Sequence, residues 1–100
     1  MKRTKAMVYQ PTAKSNELVA YITGGAYSKH IEVLLQNFQV KLRMGKYNKN
    51  DAIDRYYSLV SDAALKYQRE YFATEYKFSV TEKYSAAVDL EAYYLPEVLS

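Results

Sequence analysis

The stretch Gly45–Phe72, GKYNKNDAIDRYYSLVSDAALKYQREYF, decides the fold of this chain. Apolar residues recur in it at spacings of four and three, which is the period of a helix with one buried face. Ahead of them, Asn48 is a helix-capping residue type, and Asp51 would lie near the positive end of the helix dipole. We therefore predict a helix from Asn48 to about Thr74 whose stripe belongs to the core. The stripe consists of Ile53, Tyr57, Val60, Ala64, Tyr67 and Tyr71.

Two further helices are predicted before this one. Ser15 is expected to cap a short helix that reaches Ile22, and Gly24-Gly25 should end it, because glycine readily takes the left-handed conformation at a helix end. From about Tyr27 to Met44 a second apolar stripe predicts a longer helix, which Gly45 ends. The stripe consists of Ile31, Leu34, Leu35, Phe38 and Leu42.

A last helix follows Ser79 and Glu82, which match the S-x-x-E capping box. Proline lacks the amide donor that a helix interior needs, so Pro96 should interrupt this helix. Its inward residues are predicted to be Tyr84, Ala87, Val88, Tyr94 and Leu95.

The predicted fold class is all-α, a small bundle of three main helices plus one short N-terminal helix. Residues 1–14 lack periodicity and are predicted to form an irregular, flexible basic arm. Residues 15–100 are predicted to form a single helical domain, because a chain of 100 residues has room for one modest core.

Composition excludes several classes of chemistry. The chain contains no cysteine, which removes disulfides and thiolate nucleophiles together. The start MKRTKAMVYQP is basic but lacks the apolar run of a signal peptide, and no window of about 18 apolar residues is present. We expect a cytoplasmic protein without a membrane span.

Charge is distributed unevenly along the chain. Residues 1–49 hold nine Lys or Arg against two carboxylates, a net +7, whereas residues 50–100 hold five against nine, a net −4. Such asymmetry is typical of a polyanion-binding half, or of halves that attract one another within a fold or between copies. A mixed, solvated surface is the plainer interpretation.

No group of residues specifies a reaction. His30 is the single histidine, and Glu32, two residues away, would point elsewhere on a helix. Asp51, Asp54 and Glu82 are the available acid–base candidates, but capping and surface roles explain them better. Gly24-Gly25 lacks the preceding strand and the spaced glycines of a phosphate loop. We therefore expect no enzyme activity, metal or cofactor.

A basic cluster lies where the second predicted helix passes into the third. Cations interleaved with an aromatic ring suit a phosphate backbone, but cations also favour a helix C-terminus. Exposed tyrosines are typical of protein interfaces, and Tyr56 and Tyr93 lie beside the predicted core stripes. The partner-binding candidates are Lys41, Arg43, Lys46, Tyr47, Lys49, Tyr56 and Tyr93, which Lys2, Arg3 and Lys5 could join.

The pattern NFQVKLRMGKYNKNDAIDRYYSLVSDAALKYQREY, followed by FSVTEKYSAAVDLEAYY, resembles a widespread set of small uncharacterised helical proteins encoded by tailed bacteriophages and other mobile elements. The resemblance covers residues 18–95 and rests on turn and core positions, so it carries over no functional residue. It implies a phage or prophage accessory protein in a bacterial cytoplasm.

Three functions follow as expectations. The first is a non-enzymatic protein that binds a host or phage protein complex, such as a nucleoprotein defence complex that it inhibits. The second is a small nucleic-acid-binding module that uses the basic cluster between the second and third helices, together with the N-terminal arm. The third is a virion or assembly protein whose charged halves pair in a homo-oligomer.

Overall fold

The computed structural model describes residues 8–71 and 76–99. Its helices are α1 (Ala13–Tyr21), α2 (Ser28–Arg43), α3 (Lys49–Tyr71) and α4 (Val80–Leu99). These ranges contain no strand. The predicted all-α bundle of three main helices and one short N-terminal helix is confirmed, while the side chain of Tyr71 and residues 72–74 of the predicted third helix lie outside the described part.

Helix α4 lies at the centre and packs against each of the other three helices. Of its predicted inward residues, only Ala87 is fully buried, because the face turned to the core carries mainly small and acidic side chains. The predicted break at Pro96 is wrong: the helix continues to Leu99, since proline removes a single helical hydrogen bond and Val98 anchors the last turn in the core. The buried residues of α4 are Glu82, Ser85, Ala86, Ala87, Leu90, Glu91 and Val98.

The buried face of α3 is wider than the predicted stripe. Ile53, Val60 and Ala64 are buried as predicted, whereas Tyr57 and Tyr67 are half-buried. Because α3 contacts α1 and α2 as well as α4, a second row of residues is also covered. That row consists of Ala52, Tyr56, Leu59 and Ala63.

Helix α1 begins three residues earlier than predicted, because its N-cap is Thr12 rather than Ser15. The Ser15 backbone N–H donates to Thr12 Oγ1 at 3.1 Å, and the Thr12 backbone N–H donates to Ser15 Oγ at 2.8 Å. Two hydroxyl residues three positions apart can each act as the cap, and the reciprocal arrangement satisfies both amides.

Residues 8–12 precede α1 and hydrogen-bond to one row of α4. The boundary predicted at residue 14 differs from the structure, because Ala13 and Lys14 belong to α1 and the chain contacts α4 from Tyr9 onward. Residues 1–7 lie outside the described part. The three bonds run from Tyr9 Oη to Asp89 Oδ1, from the Gln10 N–H to Ser85 Oγ and from Thr12 Oγ1 to Glu82 Oε2, each at 2.7 Å.

Glycines make both of the turns predicted to need them. Between α1 and α2 the chain passes through a wide turn over Ile22–Ala26, in which Gly25 has φ +101°. Gly45 follows α2 with φ +68°. A side chain at either position would cost about 1–2 kcal/mol, because left-handed backbone crowds a Cβ.

Candidate functional site

The turn between α2 and α3 is attached to the core by a buried carboxylate. Glu91 of α4 is 3% exposed, and its Oε2 accepts a hydrogen bond from Tyr47 Oη at 3.1 Å. Lys49 Nζ lies 3.9 Å from Glu91 Oε1. Burial and the adjacent Glu91 carboxylate raise the pKa of Tyr47 to about 12, so this tyrosine stays a donor at neutral pH.

The predicted basic cluster divides into anchored and free cations. Lys49 pairs with Glu91, and Lys41 is half-buried. Arg43 and Lys46 are exposed, and among the described residues no carboxylate oxygen lies within 4.0 Å of either cation. The free positive charge of the turn therefore resides chiefly in these two residues.

A groove of about 340 Å³ opens beside Arg43, between the C-terminal ends of α2 and α4. Leu42 and Leu99 supply apolar surface to it, Val98 lies in its floor, and Arg43 stands at its edge. Met44, the next residue but one after Leu42, is 58% exposed. The arrangement offers an open recess of mixed lining, in which Gln39 and Arg43 stand beside the apolar side chains.

Sequence reasoning missed this groove because Pro96 was expected to end α4. Val98 and Leu99 were consequently not assigned to a helix. The available signal was spacing: Val98 follows Glu91 by seven residues, which places both on the same helical face.

The predicted site residue Tyr56 is not on the surface. It is 1% exposed, and its ring packs against Phe38 at 5.7 Å and Tyr94 at 6.3 Å between centroids. Burial raises the pKa of its hydroxyl well above the ordinary value. Tyr56 was misassigned because the second buried row of α3 was not foreseen, and it is a core residue.

Tyr93 is exposed but does not join the turn. Its exposed fraction is 61%, and its ring meets the edge of Tyr94 at 4.9 Å between centroids. Residues two apart on a helix point in nearly opposite directions, so Tyr93 faces away from Glu91 and from the turn that Glu91 holds. The structure thus brings together Lys41, Arg43, Lys46, Tyr47 and Lys49, but neither Tyr56 nor Tyr93.

A second surface feature lies on the outer side of α2. Val33, Val40 and Met44 have exposed fractions of 52%, 52% and 58%. Their spacing of seven and four residues puts them in one row, roughly opposite the buried Ile31 and Phe38. The row was missed because α2 already had one apolar stripe that accounted for its burial.

Among the acidic candidates for catalysis, Glu82 has a structural role. Glu82 accepts hydrogen bonds from the Ser79 N–H, Tyr76 Oη and Thr12 Oγ1, which confirms the capping box at the start of α4. His30 is exposed, beside the ring of Tyr27. Within residues 8–71 and 76–99 no group of three or more acidic, histidine or cysteine residues is placed to hold a metal ion.

Comparison with protein-family models, with curated proteins and with solved structures finds no match to this chain. None of the helices in the described ranges combines the length and apolar character that crossing a membrane requires.

Proposed function

We propose that this chain is a non-enzymatic accessory protein of a phage or mobile element that binds a host or phage protein complex at the α2–α3 turn. The proposal that a phage or mobile element encodes the chain rests on the sequence resemblance described above. The binding role rests on one observation, the groove at the end of α2 and α4 with Arg43 in its lining, followed three residues later by the exposed Lys46.

The chemistry of that groove suits a protein partner. The apolar part of the groove, from Leu42, Val98 and Leu99, accepts an aliphatic or aromatic anchor, and the binding energy of protein interfaces is concentrated at such anchors. Arg43 and Lys46 could then pair with carboxylates around the anchor, which favours encounter and orientation more than affinity. A hydrophobic residue flanked by acidic ones is the recognition element that we expect on the partner.

Nucleic acid is the less favoured partner because the turn offers few cations. Affinity for a nucleic-acid backbone rises with the number of phosphates that Lys and Arg neutralise. Lys49 is already paired with Glu91, and Lys41 is half-buried, so Arg43 and Lys46 are the cations left free at the turn.

The test is affinity capture from infected bacterial cells with the tagged wild-type chain and with the double variant Arg43→Glu/Lys46→Glu, with and without nuclease. We expect a captured protein that survives nuclease and decreases at least about tenfold with the double variant. Circular dichroism of the variant should match wild type, since exposed substitutions usually change stability by at most ~0.5 kcal/mol each.

A charge-matched control keeps the outcome interpretable. Arg69→Glu/Lys77→Glu makes the same change in net charge at exposed positions away from the turn, and it should capture as well as wild type. Capture that nuclease abolishes, or that both double variants reduce equally, would contradict the proposed site.

A further inference from the structure

A second groove, of about 280 Å³, runs between α2 and α3. Val33, Leu34 and Leu59 make its apolar part, and Arg55, Ser58 and Asp62 of α3 stand along one side. It is separate from the groove at the α2–α3 turn and is not used by the proposed function.

The α2 side of this groove continues into the exposed row Val33, Val40 and Met44. The row spans twelve residues, or ~16 Å of helix. A helix with apolar residues on two opposite faces is typical of one that packs against a neighbour on each side. Within the described residues, the core covers the inner face alone.

The α3 side presents two unpaired charges of opposite sign. Arg55 and Asp62 are exposed, seven residues apart on one face, with Ser58 between them. No oppositely charged group of the described residues lies within 4.0 Å of either. Lys66, one turn beyond Asp62, lies over the Tyr27 ring at 5.7 Å from its centroid instead.

We propose that a second copy of this chain covers this face, so that two α2–α3 hairpins pack antiparallel as a four-helix bundle. When a helix packs antiparallel on its own copy, the numbers of facing residues add to a constant sum, and each contact occurs twice. A two-fold axis beside Ser58 therefore sets Arg55 of each copy against Asp62 of the other. The charges that lack partners within one chain are complementary between two.

The apolar row fits the same two-fold axis. Antiparallel packing of α2 on its copy sets Val33 against Val40, with the axis between Gln36 and Asn37. Phe38 meets Tyr56, at 5.7 Å between ring centroids, so this part of α2 lies level with Tyr57 and Ser58 on α3. The midpoint between Val33 and Val40 on α2 and the midpoint between Arg55 and Asp62 on α3 thus lie within one helical turn of each other. A single two-fold axis through both pairs requires this. The two α2–α3 turns then lie at opposite ends of the bundle, where each remains open to a partner.

A charge exchange tests this arrangement. Arg55→Asp alone opposes two aspartates at each paired contact, and Asp62→Arg alone opposes two arginines. We expect wild type to dimerise in sedimentation equilibrium and each single variant to dissociate at least about tenfold more readily, because like charges are then juxtaposed. Mixing the two single variants should restore dimers, and these should contain one chain of each kind by native mass spectrometry.

Lys77→Asp, a charge reversal outside the face, serves as the control and should dimerise like wild type. All the changed positions are exposed, and circular dichroism confirms that each variant is folded. A wild-type chain that stays monomeric up to its solubility limit would overturn the proposal. So would a dimer that either single reversal leaves unchanged, or single variants whose mixture stays monomeric.

Discussion

Tyr47 and Tyr56 show how the surroundings of a tyrosine hydroxyl change its contribution to the free energy of unfolding. Tyr47 Oη donates to the buried Glu91 carboxylate at 3.1 Å. Tyr56 Oη is fully buried, and no group of the described residues pairs with it. A hydrogen bond to a charged group is stronger than a neutral one, whereas an unpaired buried hydroxyl carries its desolvation cost without return. The two residues should therefore respond oppositely to loss of the hydroxyl.

We predict that Tyr56→Phe leaves the free energy of unfolding unchanged or raises it by up to about 1 kcal/mol, because it removes an unsatisfied polar atom and keeps the ring. Tyr47→Phe should lower it by about 1–2 kcal/mol, because Glu91 loses a donor while remaining buried. Urea unfolding followed by circular dichroism measures both. A larger loss for Tyr56→Phe than for Tyr47→Phe would show that the Tyr56 hydroxyl has a partner.

At the scale of helices, Glu82 joins three segments of the chain. It accepts from the Ser79 N–H at 3.0 Å within the capping box of α4, from Tyr76 before that helix and from Thr12 at the start of α1. Burial by itself raises the pKa of Glu82, but the hydrogen bonds from the Ser79 backbone, Tyr76 and Thr12 outweigh burial, and the pKa is lowered overall.

This direction predicts how stability depends on pH. A carboxyl whose pKa is lower in the folded state stabilises the fold above its unfolded pKa, about 4.3, and loses that contribution as pH falls through the folded pKa. We expect unfolding free energy measured in urea to decline below about pH 4.3, and less steeply in Glu82→Gln than in wild type. The exposed Glu32→Gln is the control and should follow wild type. Parallel curves for Glu82→Gln and wild type would contradict the assignment.

The presence of helices α1 to α4 and the position of several helix ends could be predicted from the sequence, because nearby residues determine them. The Ser79–Glu82 capping box, the Asn48 cap and the glycine ends of α1 and α2 depend on residues a few positions apart. The contacts between helices could not be predicted in the same way. Burial of Tyr56 depends on α2 and α4 meeting α3, and docking of Tyr9 depends on Asp89, eighty residues away.

The candidate site was foreseen in part for the same reason. The basic residues of the turn are adjacent in sequence and could be grouped by inspection. Their division into anchored and free cations depends on Glu91, which comes from a different helix. The groove needed the last turn of α4, which the proline rule wrongly removed.

At the scale of the whole molecule, folding disperses the positive charge of the first half of the sequence. Lys14 pairs with Glu17 at 3.6 Å, and Lys49 pairs with Glu91 of the acidic half. Arg43 and Lys46 stay free at the C-terminal end of α2. Lys29 lies at the opposite, N-terminal end of the same helix. The described cations of the first half therefore do not form the continuous stripe that tracks a nucleic-acid backbone.

This distribution predicts weak, shallowly salt-dependent binding to nucleic acid. Each phosphate contact contributes about −0.9 to the slope of log affinity against log salt for duplex DNA, so the free Arg43 and Lys46, joined by Lys49 only when it leaves Glu91, give at most about −2.7. Raising salt fourfold should then weaken binding by about 40-fold, from an affinity already low near ~0.15 M salt. Fluorescence anisotropy with generic duplex and single-stranded oligonucleotides measures both quantities. Submicromolar binding with a slope near −5.4, the value for about six contacts, would mean that Lys2, Arg3 and Lys5 join the turn, and nucleic acid would replace protein as the preferred partner.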